Sequence, residues 1–257
     1  MATSGDSPIV LLGHPAAALV RAVGAIARAP VGPYAIVGGV AVAVRLGTAH
    51  RATTDVDTVV HDATRPAAVE VLSALSGAVR DVATEHRVFL DGTKIELLEV
   101  GDIGIGDLAG IPEKDALFVA SHAWALESAT LVDVVANERP DDRVTARFAT
   151  SAALVAMKLH AIQDRSVTSG IDKRAGDGWD IFRLLLDLDA SGAVRSELAN
   201  APSALREILV GAVDRVLVAG AARTSGWMRS GDEVMGSVTP DQLRAVGGPL
   251  LHALRIR

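Results

Sequence analysis

Apolar residues recur at helical spacing over residues 16–29 (AAALVRAVGAIARA), and the run stops at Pro30, which predicts an opening helix. Residues 34–37 then form a short apolar run between Gly32-Pro33 and Gly38-Gly39, the punctuation of a buried strand entering a tight turn. A short helix is expected over 40–46. Residues 53–60 (TTDVDTVV) alternate as a strand does, with Asp55 and Asp57 on one face and Val56 on the other. A helix is predicted over 64–75. Two β-rich runs, 87–90 and 94–100, separated by Asp91-Gly92-Thr93, predict a hairpin. Residues 116–119 and 130–135 read as further strands.

The segment 138–143 (ERPDDR) is charged, contains proline and reads as a hinge. Beyond it, 152–165, 179–188, 203–219 and 240–254 carry helical patterning, with Gly170, Gly176, Gly220, Gly226 and Gly231 between them. The expected fold class is therefore α/β (α+β), with an α/β core over residues 1–140 and a helical domain over 141–257. No internal repeat appears.

A chain of 257 residues holds one or two compact domains and can bury a sizeable core. Hydrophobic residues at 49% and charged residues at 22% belong to a globular protein, and no apolar run approaches the ~20 residues of a membrane span. The first fourteen residues show neither a basic n-region nor a cleavage site, so a cytoplasmic location without membrane association is expected. With no cysteine, thiolate catalysis and cysteine metal sites are excluded, and any metal must sit on oxygen or imidazole. A net charge of −6 argues against broad capture of nucleic acid, though not against a local basic patch.

The segment 37–57 (VGGVAVAVRLGTAHRATTDVD) is the most informative. Glycines where a strand turns into a helix let backbone N–H groups approach a phosphate, and the helix terminus adds a favourable field. Asp55 and Asp57, two apart on a strand, project from one face. Paired carboxylates repel each other, and a hard divalent cation, magnesium above all, is the usual reason to tolerate them. A third carboxylate is available from Glu96 or Glu99 of the predicted hairpin. These point to opposite sides: Lys94, Glu96 and Leu98 share one, Ile95, Leu97 and Glu99 the other, so only one glutamate can face the aspartates.

The second segment is 154–186. Lys158 and Arg165, seven apart on one helix, share a face, and Asp177 and Asp180 have i, i+3 spacing at the start of the next. A lysine there can neutralise a bound triphosphate, with an aspartate orienting it or a reacting hydroxyl. The same spacing also suits a solvated helix face or an interhelical salt bridge. No Walker A motif and no H-E-x-x-H occur, and the seven histidines show no metal-ligand spacing. Trp124, Trp179 and Trp227 read as core or interface residues, since so few aromatics offer no stacking series for bases.

Together these segments resemble the DNA polymerase β-type nucleotidyltransferase superfamily, and within it the AbiEii branch that includes the MenT-like toxins of type IV toxin-antitoxin systems. That branch has a Gly-Gly or Gly-Ser turn, then an arginine, a threonine and a D-x-D pair, here Gly38-Gly39, Arg51-Ala52-Thr53 and Asp55-Val56-Asp57. Its hairpin strand commonly reads K-I-D-L-L, here Lys94-Ile95-Glu96-Leu97-Leu98, which favours Glu96 as third carboxylate. Its later signature appears as Lys158, Ala161, Arg165, Asp177 and Asp180 with Leu184 behind. One departure is local: Gly176 stands where the family often has lysine, and the nearest basic residues are Lys173 and Arg174. The resemblance covers residues 34–188.

The resemblance implies a mixed-sheet polymerase β-like core, with the helical domain completing an active-site cleft that binds a nucleoside triphosphate (NTP) and one or two Mg2+. Asp55, Asp57 and Glu96 would be the metal ligands. Gly38, Gly39, Arg51, Thr53, Arg165 and Asp177 would bind the nucleotide. Lys158 would bear on the triphosphate, and Asp180 would be a second essential carboxylate. The implied reaction moves a nucleoside monophosphate onto an acceptor hydroxyl, with the 3′ end of tRNA favoured as acceptor and a cognate antitoxin protein as partner. The competing expectations are a small-molecule acceptor of the antibiotic type and a catalytically silent nucleotide-binding module.

Overall fold

The computed structural model describes residues 8–12, 15–29, 32–48, 53–101, 108, 110–164 and 171–256. Arg51 and Arg165 lie outside the described residues. The chain divides into two compact units, Met1–Asp102 with Ser128–Thr150, and Ile103–Glu127 with Ser151–Arg257.

The first unit holds β1 (Ile9–Leu11), α1 (Ala16–Arg28), β2 (Tyr34–Val37), α2 (Gly38–Leu46), β3 (Asp55–His61), α3 (Arg65–Ser73), β4 (Ala78–Arg80), β5 (Arg87–Leu90), β6 (Thr93–Val100), β7 (Thr130–Ala136) and β8 (Arg139–Phe148). The strands form one mixed sheet in the order β1-β7-β8-β2-β3-β6-β5-β4. β1 with β7, β8 with β2 and β3 with β6 are parallel, and the remaining pairs antiparallel. The fold class is thus α/β with a mixed sheet.

α1 buries Leu19, Val20, Val23 and Ile26 and packs across β7, β8, β3 and β6. It stops where expected, because Pro30 disfavours helical backbone at Ala29, which is extended (φ −69°, ψ 140°). β2 is buried along its whole length, and Gly38, at φ +69°, turns it directly into α2. Arg45 fastens the far end of α2, its guanidinium donating to the carbonyls of Ala149 and Phe148, both at 2.7 Å. Left-handed Asp91 (φ 48°) and Gly92 (φ 80°) make the two-residue turn between β5 and β6.

The second unit is helical: α4 (Glu113–Ser128), α5 (Ser151–Asp164), α6 (Ile171–Leu188), α7 (Ala193–Ala199), α8 (Ser203–Val213), α9 (Ala221–Met228), α10 (Glu233–Gly236) and α11 (Pro240–Ile256). Ile162, Ile181, Leu184, Leu209, Leu217 and Leu243 are fully buried in it. Among the described residues, no helix is long and apolar enough to cross a membrane.

Two sequence expectations are corrected. Residues 116–119 are not a strand but part of α4, whose buried Ala116, Leu117, Ala120, Ala123 and Trp124 repeat at helical spacing behind Glu113 and Asp115 in the first turn. The 138–143 segment is not a hinge between parts but the start of β8, paired antiparallel with β7. Two of its charges are paired: Arg143 with Asp133 across the hairpin, and Asp142, which accepts from Arg21 at 3.3 Å. A register shift between Val135 and Ala136 accommodates residues 140–142, so Pro140 costs the ladder no N–H. β7 and β8 therefore complete the sheet, whereas Phe118 and His122 of α4 stack toward His160 of α5.

Candidate active site

The parallel pairing of β3 and β6 sets Asp55 beside Lys94 and Asp57 beside Glu96. All four are half-buried on one face, while Val56, Ile95 and Leu97 are buried on the other. Glu99 belongs to that other face and pairs with Arg65 at 2.7 Å. Of the two hairpin glutamates, Glu96 is the one that joins the aspartates.

Asp57 lies against the β2–α2 turn. A Cβ built on Gly38 would stand 2.1 Å from the Asp57 Oδ2, and Gly38 also has left-handed backbone, so this position requires glycine twice over. α2 starts at Gly38, and Val37, its N-cap residue, supplies no side-chain cap to the first-turn amides. Gly39 is buried in the same turn, and Thr53 lies just before β3.

A cation already sits among the carboxylates. The Lys94 Nζ lies 2.8 Å from the Asp55 Oδ2 and 3.0 Å from the Glu96 Oε2. The other oxygen of Glu96 faces His86 Nε2 at 3.4 Å and Arg87 at 3.5 Å. Burial pushes the Glu96 pKa up, but the hydrogen bond and charge of Lys94, with Arg87 and His86, outweigh it and hold the carboxyl below its usual value. Burial likewise works against the Lys94 ammonium, and its hydrogen bonds to Asp55 and Glu96 reverse that, so its pKa is raised.

The residues fit a hard divalent cation in kind. Asp55, Asp57 and Glu96 offer only oxygen, the donor chemistry of magnesium, and the Lys94 ammonium is a stand-in cation between two of them. Among the described residues, no three His, Asp or Glu side chains stand in metal-ligating geometry. Two oxygens spanned by an ammonium are held wider than a pair sharing one magnesium at about 2.0–2.1 Å.

The second group of predicted residues forms a core network in the helical unit. Lys158 of α5 sends its Nζ to Asp177 and Asp180 of α6, both at 2.8 Å, and the three side chains are 11%, 3% and 0% exposed. Of the readings open at the sequence level, the solvated face is overturned by this burial, and an interhelical ion triad is what stands there. Arg174, one turn before Asp177, is buried with its guanidinium over the Trp227 ring at 4.7 Å, and Arg223 lies 5.3 Å from the same ring. Trp124 and Trp179 are buried, as core residues should be.

The sequence reading missed the cationic side of the site. The shared face of Lys94 and Glu96 was legible, but Arg87 and His86 meet Glu96 only through the β5–β6 register, which a two-residue Asp-Gly turn sets. It also missed the buried pair His122 and His160, 6.4 Å apart between ring centroids. Burial holds the His122 imidazole neutral with a pKa of about 4, and its Nδ1–H donates to the Phe118 carbonyl at 2.8 Å.

A scan of family models finds none that matches the chain, and a search of curated proteins finds no match either. The family resemblance therefore rests on the motif residues themselves.

Proposed function

We propose that the chain is a magnesium-dependent nucleotidyltransferase with a polymerase β-like core, moving a nucleoside monophosphate from an NTP to an acceptor hydroxyl. The proposed acceptor is the 3′ end of tRNA, the proposed setting a type IV toxin-antitoxin system in the cytoplasm, and the proposed protein partner a cognate antitoxin. The observation that carries this reading is the shared face of Asp55, Asp57 and Glu96 beside the Gly38 turn.

In this reading the three carboxylates would hold one or two magnesium ions, which when bound would offset charge growing on the α-phosphate and the leaving pyrophosphate. The first-turn amides of α2 and Thr53 would hold the phosphates against that face, and Arg51 enters the proposal through the resemblance. The acceptor oxygen forms its bond to the α-phosphorus as the bond to the bridging oxygen breaks, pyrophosphate leaves, and a carboxylate of the face takes the hydroxyl proton. Lys158, Arg165, Asp177 and Asp180 enter the proposal through the resemblance. The geometry of Lys158, Asp177 and Asp180 is that of a buried ion triad.

The test is incubation of the purified chain with Mg2+ and each of four α-³²P-labelled NTPs, with total tRNA, with a polyhydroxylated aminoglycoside, or with neither. Label on tRNA supports the proposal in full. Label on the aminoglycoside alone keeps the chemistry and changes the acceptor. No label on either acceptor contradicts the reading.

A further inference from the structure

We propose that Lys94 is the resident counter-ion of the acidic face and that a divalent cation enters by displacing its ammonium. The inference rests on the reading of Asp55, Asp57 and Glu96 as a metal site and deepens it: the chain carries its own competitor for that metal.

The geometry is that of a bridge rather than a peripheral contact. One Nζ is within hydrogen-bond distance of two carboxylates on neighbouring strands, Asp55 at 2.8 Å and Glu96 at 3.0 Å. The β3–β6 register produces it, placing Lys94 directly beside Asp55 and two residues before Glu96 on the same face. The ammonium offsets the repulsion between the two carboxylates, and a divalent ion would draw on the same two oxygens. Ammonium and divalent ion therefore cannot both occupy the space between them, because each needs the same oxygens.

Lysine suits an exchangeable role. Its ammonium is a compact point charge on a flexible four-carbon stem, so it can swing away without disturbing the strand, and the side chain is 27% exposed, leaving it somewhere to go. Arg87 and His86 hold the far oxygen of Glu96, at 3.5 and 3.4 Å, so Glu96 stays in place when Lys94 leaves. Lys94 is thus a positioning residue in the metal-free protein. It sets the affinity for the metal rather than taking part in the chemistry.

The test is Mn2+ binding by the full chain, followed through loss of the free Mn2+ electron paramagnetic resonance signal, in wild type, Lys94→Gln, Lys94→Arg and Asp57→Asn. Removing the competing charge is expected to tighten Mn2+ binding by about tenfold or more in Lys94→Gln. Lys94→Arg, which keeps the charge, gains nothing, and Asp57→Asn binds more weakly. A Lys94→Gln affinity equal to or below that of wild type overturns the counter-ion role while leaving the metal site standing. Absence of Mn2+ binding by both overturns the metal reading, and this inference with it.

Thermal melting gives a second readout that survives poor folding of the variant. Without metal, Lys94→Gln melts below wild type, and Mn2+ raises its Tm by more than it raises that of wild type. A variant that folds only with Mn2+ present gives the same answer. Equal Mn2+ increments in the two proteins overturn the proposal.

Discussion

Gly38 and Gly47 bracket α2 with nearly the same left-handed backbone, φ +69° and +68°, yet among the described residues only Gly38 has a neighbour in its way. The pair separates backbone strain from site geometry. Gly47→Ala meets none of the described residues and should cost only the left-handed penalty, about 1–2 kcal/mol, with metal binding and transfer unchanged. Gly38→Ala meets the same penalty and also pushes the Asp57 carboxylate aside, so Mn2+ affinity and nucleotide transfer should fall together. Urea denaturation with Mn2+ titration of both variants checks this, and equal behaviour of the two would remove Gly38 from the site. Lys158 makes the complementary case in the helical unit. Lys158→Ala leaves Asp177 and Asp180 buried with their shared ammonium gone, so it should destabilise the protein by roughly 3–5 kcal/mol in urea denaturation. A variant as stable as wild type would mean that the triad contributes nothing to the fold.

At the scale of the elements, α4 and α5 predict a pH dependence through His122. The unfolded imidazole titrates near 6.5, whereas burial holds the folded one at about 4. Between these values the unfolded state binds more protons, so stability falls as pH drops from 6.5 toward 4, by about 3 kcal/mol across the window. Comparing urea midpoints across that window, His122→Leu should lose this part of the acid sensitivity. An unchanged slope would show that His122 is not held neutral. The same scale shows what the sequence makes legible. β2, β3 and the β5–β6 hairpin were readable because alternation, a Gly-Gly turn and an Asp-Gly turn are local signals. Period-2 geometry put Asp55 and Asp57 on one face and left Glu96 and Glu99 on opposite faces; the family resemblance favoured Glu96, and the parallel β3–β6 register places it beside Asp57. Within α4, residues 116–119 look like a strand because four apolar residues suit either period, and only the longer repeat through Trp124 decides. β1 and β4, three residues each, are too short to carry a pattern. β8 was hidden because a charged, proline-containing segment looks like a linker until Asp133 and Arg21 are known to face it.

At the scale of the whole molecule, the chain leaves and re-enters each unit, since β7 and β8 pair into the sheet after α4 has joined the helices. Long-range strand pairing of that kind has no local signature, which is why the sequence suggested one break near residue 140. The net charge of −6 argues against coating a nucleic acid, and the proposed transfer would need only the end of an acceptor. The proposed chemistry needs something narrower than overall charge: one sheet face carrying Asp55, Asp57 and Glu96. Asp57→Asn keeps the size of the side chain and leaves the buried side of β3 untouched, so folding should survive. The decisive measurement is therefore the rate of α-³²P label transfer to tRNA by Asp57→Asn against wild type, at equal folded fraction by circular dichroism. The expected result is a loss of at least about a hundredfold with the melting temperature nearly unchanged. Transfer at the wild-type rate would contradict it.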